Sequence, residues 1–187
     1  MARRTVLRST LAALTLSVLA LSPTFAADAP KLFSYVEEGH EPVALQTMDR
    51  HQIKQLTIDF DYTREAQVVP QDTAYALIQS RGAVVIDVRE PDEYAAGHLV
   101  GAYNIPKDSL LHNQEFAAAI KESKTPVMVY CRSGVRAGEA MKMLEDAGYK
   151  YVMSIGGVKT WPYGLTTEPT TKPIEQAAAE VKMPWNR

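Results

Sequence analysis

Short, unbroken apolar runs occur at intervals along the chain. AVVID (83–87) and VMVY (127–130) are continuous runs without polar alternation. Such runs are typical of strands buried on both faces, as in a parallel sheet with helices above and below it. A further run, YVMSI (151–155), follows a glycine and predicts another short strand.

Segments with helical spacing lie around these runs. Apolar residues recur at intervals of three and four within residues 70–80, 108–123 and 137–148, and the last segment ends at Gly148, a typical C-terminal stop. Strands and helices in alternation predict an α/β domain over residues 67–165, with a central, mostly parallel sheet and helices on both faces.

The flanking segments carry weaker patterns. Residues 27–66 are polar with scattered aromatic residues, and we expect a partly ordered N-terminal extension that lies on the domain. Residues 166–187 form a C-terminal segment: TTEPTTKP (166–173) predicts a linker because its prolines and threonines do not propagate a helix, and a short amphipathic helix begins near Ile174. Either extension is a candidate docking site for a protein partner.

The first 26 residues predict an export signal. Three arginines within the first eight positions precede an apolar run (11–21) that is too short to remain as a membrane span, and TFA ends at Ala26. We expect cleavage after Ala26, no membrane segment in the mature chain, and a periplasmic location. RRTVLR is similar to a twin-arginine signal, so that the general and the twin-arginine export routes both remain open.

The net charge and the cysteine content narrow the range of possible functions. Without the three arginines of the signal, basic residues fall from 20 to 17 against 22 acidic residues, and the formal net charge changes from −2 to −5. A mildly acidic chain without a basic stripe is not typical of a nucleic-acid-binding protein. A single cysteine, Cys131, forms no disulfide within the chain, so the thiol is free for other chemistry.

The sequence around Cys131 indicates an activated thiol. Cys131 directly follows the strand VMVY, and the next helix is predicted to begin near Ala137. Backbone N–H groups and the dipole at a helix N-terminus stabilise an anion such as a thiolate, and Arg132 and Arg136 act in the same direction. Gly134 allows the chain to fold around the sulfur because glycine tolerates positive φ angles. These residues predict a nucleophile in an electropositive loop that attracts a small oxyanion.

The length of this loop separates two kinds of anion chemistry. Tyrosine-phosphatase loops have five residues between cysteine and arginine, whereas four residues separate Cys131 from Arg136. The shorter loop fits one extra sulfur atom on the cysteine better than a tetrahedral phosphate. A small-oxyanion phosphatase or an arsenate reductase is therefore the less favoured alternative.

Three segments in order resemble the rhodanese sulfurtransferase family. CRSGVR (131–136) resembles the active-site loop of that family, VVIDVREPDEYAAGHLVGAYNIP (84–106) resembles its first signature, and LEDAGYKYVMSIGGVKTW (144–161) resembles its closing segment. The chain departs from the common pattern at Val100, where proline is frequent, and at Ala137, where many relatives have serine. These departures concern fine substrate preference more than activity.

The resemblance implies a sulfurtransferase that needs no metal or organic cofactor. Cys131 is expected to take sulfane sulfur from a donor such as thiosulfate, to hold it as a persulfide and to pass it to cyanide or a cellular thiol. Arg136 is expected to shape the loop or to contact anionic substrate, and Arg132 to lie at the rim. A non-catalytic sulfur carrier or protein-binding module is the alternative. The predicted active-site loop residues are Arg132, Ser133, Gly134, Val135 and Arg136.

Other polar residues have structural interpretations. Asp87 and Arg89, at the end of a predicted strand, are expected to form a supporting ion pair, with Glu93 as one candidate partner. His98 would be needed as a base only in a cysteine–histidine hydrolase, and GHLVGA is interpreted instead as a turn. The histidines show no metal-ligand spacing, so no metal site is predicted.

Overall fold

The computed structural model describes residues 30–64 and 67–182. One five-stranded sheet lies at its centre in the order β1-β5-β4-β2-β3, and within the described residues all its strand pairs are parallel. The predicted α/β class is confirmed. The strands are Gln67–Val68 (β1), Val84–Asp87 (β2), Tyr103–Asn104 (β3), Val127–Cys131 (β4) and Val152–Gly157 (β5).

Helices cover both faces of this sheet. Two 3₁₀ helices, Lys107–His112 and Val158–Thr160, and a π-helical turn, Ala117–Lys121, supplement the α-helices. The α-helices are Arg50–Thr57 (α1), Gln71–Gln79 (α2), Pro91–Ala96 (α3), Gln114–Phe116 (α4), Val135–Asp146 (α5) and Ile174–Ala179 (α6).

Strand alternation divides the core into two layers. Successive side chains of a strand point to opposite faces of a sheet. In β4, Val129 and Cys131 belong to the cluster that packs against α5 and α6, whereas Met128 and Tyr130 belong to the cluster that packs against α2. Every residue of β4 is buried, so apolar layers cover both faces of this strand. This alternation places the Cys131 side chain on the α5 face of the sheet.

The helix predicted over residues 108–123 is broken at Asn113. Its backbone is extended there (φ −76°, ψ 106°), and its side-chain oxygen accepts a hydrogen bond from Phe116 N at 2.8 Å. An asparagine side chain competes with the helical hydrogen bonds and favours a new N-cap. The segment therefore consists of a 3₁₀ helix before Asn113 and a short α-helix with a π-helical end after it.

Part of the N-terminal extension adds structure that the hydrophobic pattern did not indicate. Helix α1 begins with a capping box in which Asp49 accepts from His51 N and Gln52 N, and Gln52 bonds back to Asp49 N. Farther toward the N-terminus, Phe33 and Leu165 exchange two backbone hydrogen bonds of 2.9 and 2.7 Å. The extension thus contacts the domain at two places, at its C-terminal end near Leu165 and at α2.

The predicted export signal lies outside the described residues. Among residues 30–64 and 67–182, no helix has both the length and the apolar character that a membrane crossing requires.

Truncation of Leu144 is expected to destabilise the fold through α5. This residue is fully buried in the cluster that also contains Cys131. Leu144→Ala should lower the free energy of unfolding by about 2–5 kcal/mol, because it removes buried methyl groups and leaves a cavity. Lys142→Ala, at an exposed position of the same helix, should change it by less than about 0.5 kcal/mol. Urea titrations of both variants compare the two values, and equal effects would contradict the packing described above.

Candidate active site

Cys131 is the last residue of β4, and three residues join it to α5. It pairs in register with Gly157 of β5, after an irregularity in the β4–β5 ladder. Gly134 has φ 103°, a left-handed conformation that glycine adopts readily. The turn directs Gly134 N–H at the Cys131 sulfur, with an N to Sγ distance of 3.1 Å. A backbone donor therefore contacts the only thiol of the chain.

The thiol is more enclosed than a position at the mouth of a loop would be. Cys131 is 1% exposed and packs in the core cluster on the α5 face. The 12-residue helix α5 begins at Val135, directly beyond the turn, so that its free N-terminal N–H groups and its dipole lie at the cysteine loop.

Gly157 of β5 and Gly134 of the turn allow the loop to sit close to the sheet. A Cβ added at Gly157 would lie 2.6 Å from Ser133 N and closer still to Arg132 O. A Cβ at Gly134 would lie 3.3 Å from Gly156 Cα. The loop is fastened there by a hydrogen bond of 3.2 Å from Lys159 N to Arg132 O. Backbone contact between the loop and β5 thus sets the position of the turn.

Arg136 is held by Glu93 of α3. Its two terminal nitrogens donate to the two carboxylate oxygens at 2.7 and 2.8 Å, a bidentate pair. These hydrogen bonds are the main cause of a lowered pKa for Glu93 and of a raised pKa for Arg136, and the charge of Cys131 raises the Arg136 value further. Arg136 therefore lies within electrostatic range of the sulfur, and its pairing favours a role in shaping the loop.

Arg132 is half exposed and is held by contacts with the N-terminal extension. Its side chain is 49% exposed and forms an ion pair with Glu37 of the N-terminal extension. Its Nε also donates to the Tyr35 hydroxyl at 3.1 Å. Lys159 contacts the same Glu37 carboxylate at 2.5 Å. The sequence does not predict the contacts of Glu37 and Tyr35, because nothing in this polar segment indicates that it reaches a loop 95 residues after Glu37.

The remaining loop residues face outward. Ser133 is exposed, and the Val135 side chain at the start of α5 is 68% exposed. These two residues and Arg132 form the outer surface of the cysteine loop.

Asp87 and Arg89 form a buried ion pair with each other. Arg89 Nε and Nη2 donate to the Asp87 carboxylate at 2.5–3.0 Å, and Nη2 also donates to Gly97 O at 2.7 Å. The guanidinium lies 5.7 Å from the ring centre of Tyr130, the residue before Cys131. Glu93 pairs with Arg136 instead of Arg89. The Asp87–Arg89 pair thus joins the end of β2 to the end of β4.

His98 has no free nitrogen to serve as a base. Its Nδ1 lies 2.9 Å from Tyr94 O and its Nε2 lies 3.0 Å from Glu168 O, and its ring stacks on Tyr94. The residue is fully buried. Each ring nitrogen therefore faces a backbone carbonyl oxygen, and the nitrogen that carries the proton donates to its carbonyl. Within the described part of the chain, no group of three His, Cys, Asp or Glu residues is arranged as a metal site.

Comparison with known proteins identifies the family. The Rhodanese-like domain model matches residues 70–162. A protein named thiosulfate sulfurtransferase GlpE, from Coxiella burnetii, is 35% identical over 89 residues, which are 47% of this chain and 79% of that protein. The chain belongs to the rhodanese-like family. The resemblance seen in the sequence motifs is thereby confirmed.

Another curated relative and one solved structure are similar to part of this chain. Thiosulfate sulfurtransferase PspE of Escherichia coli is 38% identical over 74 residues, 40% of this chain and 69% of that protein. A solved structure described as a rhodanese with anions, from Escherichia coli, is 32% identical and covers 46% of this chain and 99% of that one, with a TM-score of 0.42. The names of the curated relatives confirm the expectation of an enzyme of the sulfurtransferase type.

Alanine at Gly157 is expected to displace the rhodanese-like loop. The added methyl group would overlap the backbone of Arg132 and Ser133, so Gly157→Ala should lower the free energy of unfolding by about 1–3 kcal/mol. Gly138→Ala is the matched control, because an added Cβ meets no atom within 4 Å in the interior of α5. This control should stabilise the protein by up to about 1 kcal/mol through its higher helix propensity. Thermal or urea unfolding measures both, and a neutral Gly157→Ala would contradict the close approach.

Removal of Arg89 is expected to leave a buried carboxylate unpaired. Arg89→Met should cost about 3–5 kcal/mol of unfolding free energy, because the Asp87 charge then lacks its partner. The double variant Asp87→Leu/Arg89→Met should be less destabilised than the sum of the single variants. A double-mutant cycle measured by urea unfolding checks this coupling. Simple additivity would show that the pair does not act as a unit.

Proposed function

We propose that this protein moves sulfane sulfur from thiosulfate, or from a donor of similar chemistry, to a thiophilic acceptor through a persulfide on Cys131. The observation that supports the proposal most is the hydrogen bond from Gly134 N to Cys131 Sγ at 3.1 Å, at the N-terminus of α5. A thiolate held by backbone N–H groups is a nucleophile that needs no neighbouring base. Relatives named thiosulfate sulfurtransferases support the same donor chemistry.

The first half-reaction transfers one sulfur atom to the enzyme. The Cys131 thiolate attacks the outer sulfur of thiosulfate and forms a new S–S bond. The S–S bond of thiosulfate breaks, and its electron pair leaves with sulfite. The negative charge that begins on Cys131 Sγ ends on the terminal sulfur of the persulfide. No proton is transferred in this step, which agrees with the positions of both His98 ring nitrogens beside carbonyl oxygens.

The second half-reaction returns the enzyme to its thiolate form. Cyanide in an assay, or a cellular thiolate in the cell, attacks the terminal sulfur of the persulfide. The enzyme S–S bond breaks, its electron pair remains on Cys131 Sγ, and thiocyanate or a new persulfide departs. The N-terminal N–H groups of α5 stabilise the negative charge in both states, since the anion stays close to the same turn.

The enclosure of the sulfur places a condition on this cycle. Cys131 is 1% exposed, so a donor reaches Sγ only when the loop residues above it move aside. Small donors and acceptors are therefore favoured over bulky ones. Loop displacement of this kind is a common step in enzymes whose sites exclude water.

We also propose that the reaction takes place in the periplasm. The support comes from the arginines and the apolar run within residues 1–26. Fractionation of cells that express the full chain, with N-terminal sequencing of the mature protein, tests the location and the expected cleavage after Ala26.

Intact mass measurement tests the half-reaction directly. After incubation with thiosulfate, the wild-type protein should gain the mass of one sulfur atom, and cyanide should remove it with formation of thiocyanate. Cys131→Ser should show neither change, and its turnover should fall about a thousandfold or more because the nucleophile is lost. The chain has no second cysteine, so an added sulfur has one thiol on which to reside. A wild-type protein that gains no sulfur would overturn the proposal.

The same experiment separates the alternative functions. A stable mass gain without thiocyanate formation would indicate a sulfur carrier instead of a turnover enzyme. Hydrolysis of a generic phosphate ester that depends on Cys131 would indicate a phosphatase, and the loop of four residues between Cys131 and Arg136 predicts no hydrolysis.

A further inference from the structure

A carboxylate from the N-terminal extension lies across the cations at the rim of the cysteine loop. We use the term rim cluster for Tyr35, Glu37, Arg132 and Lys159. Glu37 forms ion pairs with both Arg132 and Lys159. Hydrogen bonding from Lys159, and then from Arg132, lowers the pKa of Glu37, so the carboxylate is ionised at neutral pH. One negative charge is thus shared between two positive ones.

The cluster is part of the loop rather than a distant surface pair. Lys159 N donates to Arg132 O at 3.2 Å, so the two cationic residues are joined through the backbone. Arg132 is the residue after Cys131, and Lys159 follows the Gly156–Gly157 pair on which the loop packs. A change of charge in the rim cluster therefore acts directly beside the cysteine loop.

Contacts on both sides of Glu37 hold its segment in place. On the N-terminal side, Phe33 exchanges backbone hydrogen bonds with Leu165, and its ring packs against Gly97. On the C-terminal side, Gln46 N donates to Pro162 O at 2.7 Å. The Glu37 side chain itself is 19% exposed. The carboxylate is thus positioned by the fold and not by a mobile surface side chain.

Glu37 reduces the positive charge that an incoming anion meets. Of the three cationic side chains near the loop, Arg136 is neutralised by Glu93, and Arg132 and Lys159 share Glu37. The net charge of these five groups is +1. Without Glu37 it would be +2, and a doubly charged donor would be attracted more strongly than a singly charged one.

We propose that Glu37 determines donor specificity: its carboxylate occupies the anion-binding side of Arg132 and Lys159 and thereby disfavours small dianions such as thiosulfate relative to sulfane-sulfur donors of lower charge, such as organic persulfides. This inference rests on the proposed sulfur transfer. It assigns to the extension a role at the active site in place of a purely structural one.

Two alkylating reagents of similar size test the charge effect without any sulfur transfer. Iodoacetate is an anion and iodoacetamide is neutral, and both alkylate Cys131 through its sulfur. In Glu37→Gln the ratio of the iodoacetate rate to the iodoacetamide rate should rise about threefold or more at low ionic strength, and the rise should shrink as salt screens the cations. Glu38→Gln, the same change at the exposed neighbouring position, should leave the ratio unchanged.

The ratio also distinguishes charge from loosening of the extension. If Glu37→Gln merely released the segment and opened the site, both reagents would react faster and their ratio would stay constant. That result would overturn the inference. The triple variant Glu37→Gln/Arg132→Gln/Lys159→Gln should lose the raised ratio of the iodoacetate rate to the iodoacetamide rate. That loss would support the inference, because the anion would then have no cations at the rim to approach.

Steady-state kinetics connect the charge effect to sulfur donors. Glu37→Gln should lower the KM for thiosulfate severalfold and leave the KM for a singly charged organic persulfide nearly unchanged. An equal change in both KM values would overturn the specificity role. If no variant gains sulfur from either donor but the alkylation ratio rises in Glu37→Gln, the proposed sulfur transfer fails and the electrostatic role of Glu37 stands.

Discussion

The site depends on one close backbone approach, between the cysteine loop and the glycines at the end of β5. Strand β4 ends at Cys131, and its last residue pairs with Gly157. The chain then turns at Gly134 into α5 so tightly that Gly134 N–H contacts the sulfur at 3.1 Å. A side chain at Gly157 would overlap the backbone of Arg132 and Ser133, and displacement of the loop would carry the N–H donor away from the sulfur. The position of this donor thus depends on the absence of a side chain at one residue of the neighbouring strand.

Charge near the sulfur is arranged in pairs. Arg136 and Arg132 follow directly from the loop sequence, but each is bound to a glutamate from elsewhere in the chain, Glu93 on α3 and Glu37 in the extension. Paired cations contribute less to the local field than free ones do. Backbone N–H groups carry no counter-charge, and one of them, Gly134 N–H, contacts the sulfur directly. Each arginine is held by a glutamate, which reduces the positive charge beside the loop.

The sequence predicts those features of this structure that depend on residues close together in the chain. It does not predict the features that depend on residues far apart. Strands β2 and β4 are buried on both faces, so their continuous apolar runs identify them, and the cysteine loop is defined by neighbours in the chain. Strands β1 and β3 have two residues each, too few for a period to be visible. Asn113 breaks a helix that the spacing of apolar residues alone predicts to be continuous. The contact of Glu37 with Arg132 joins residues far apart in the chain, and such pairing depends on how the extension packs against Leu165 and Pro162.

Enclosure and charge pairing act on different steps of a reaction at Cys131. Cys131 is 1% exposed, so in the proposed sulfur transfer the loop must move before a reagent reaches the sulfur, and the size of the reagent is expected to matter at that step. Charge at the rim acts earlier, while the reagent is still in solvent, and its effect depends on the charge of the reagent and on ionic strength. In the proposed reaction, packing on the α5 face determines the first property and the N-terminal extension the second. Variation in the extension is then expected to change which anions approach the thiol while the cysteine loop stays the same.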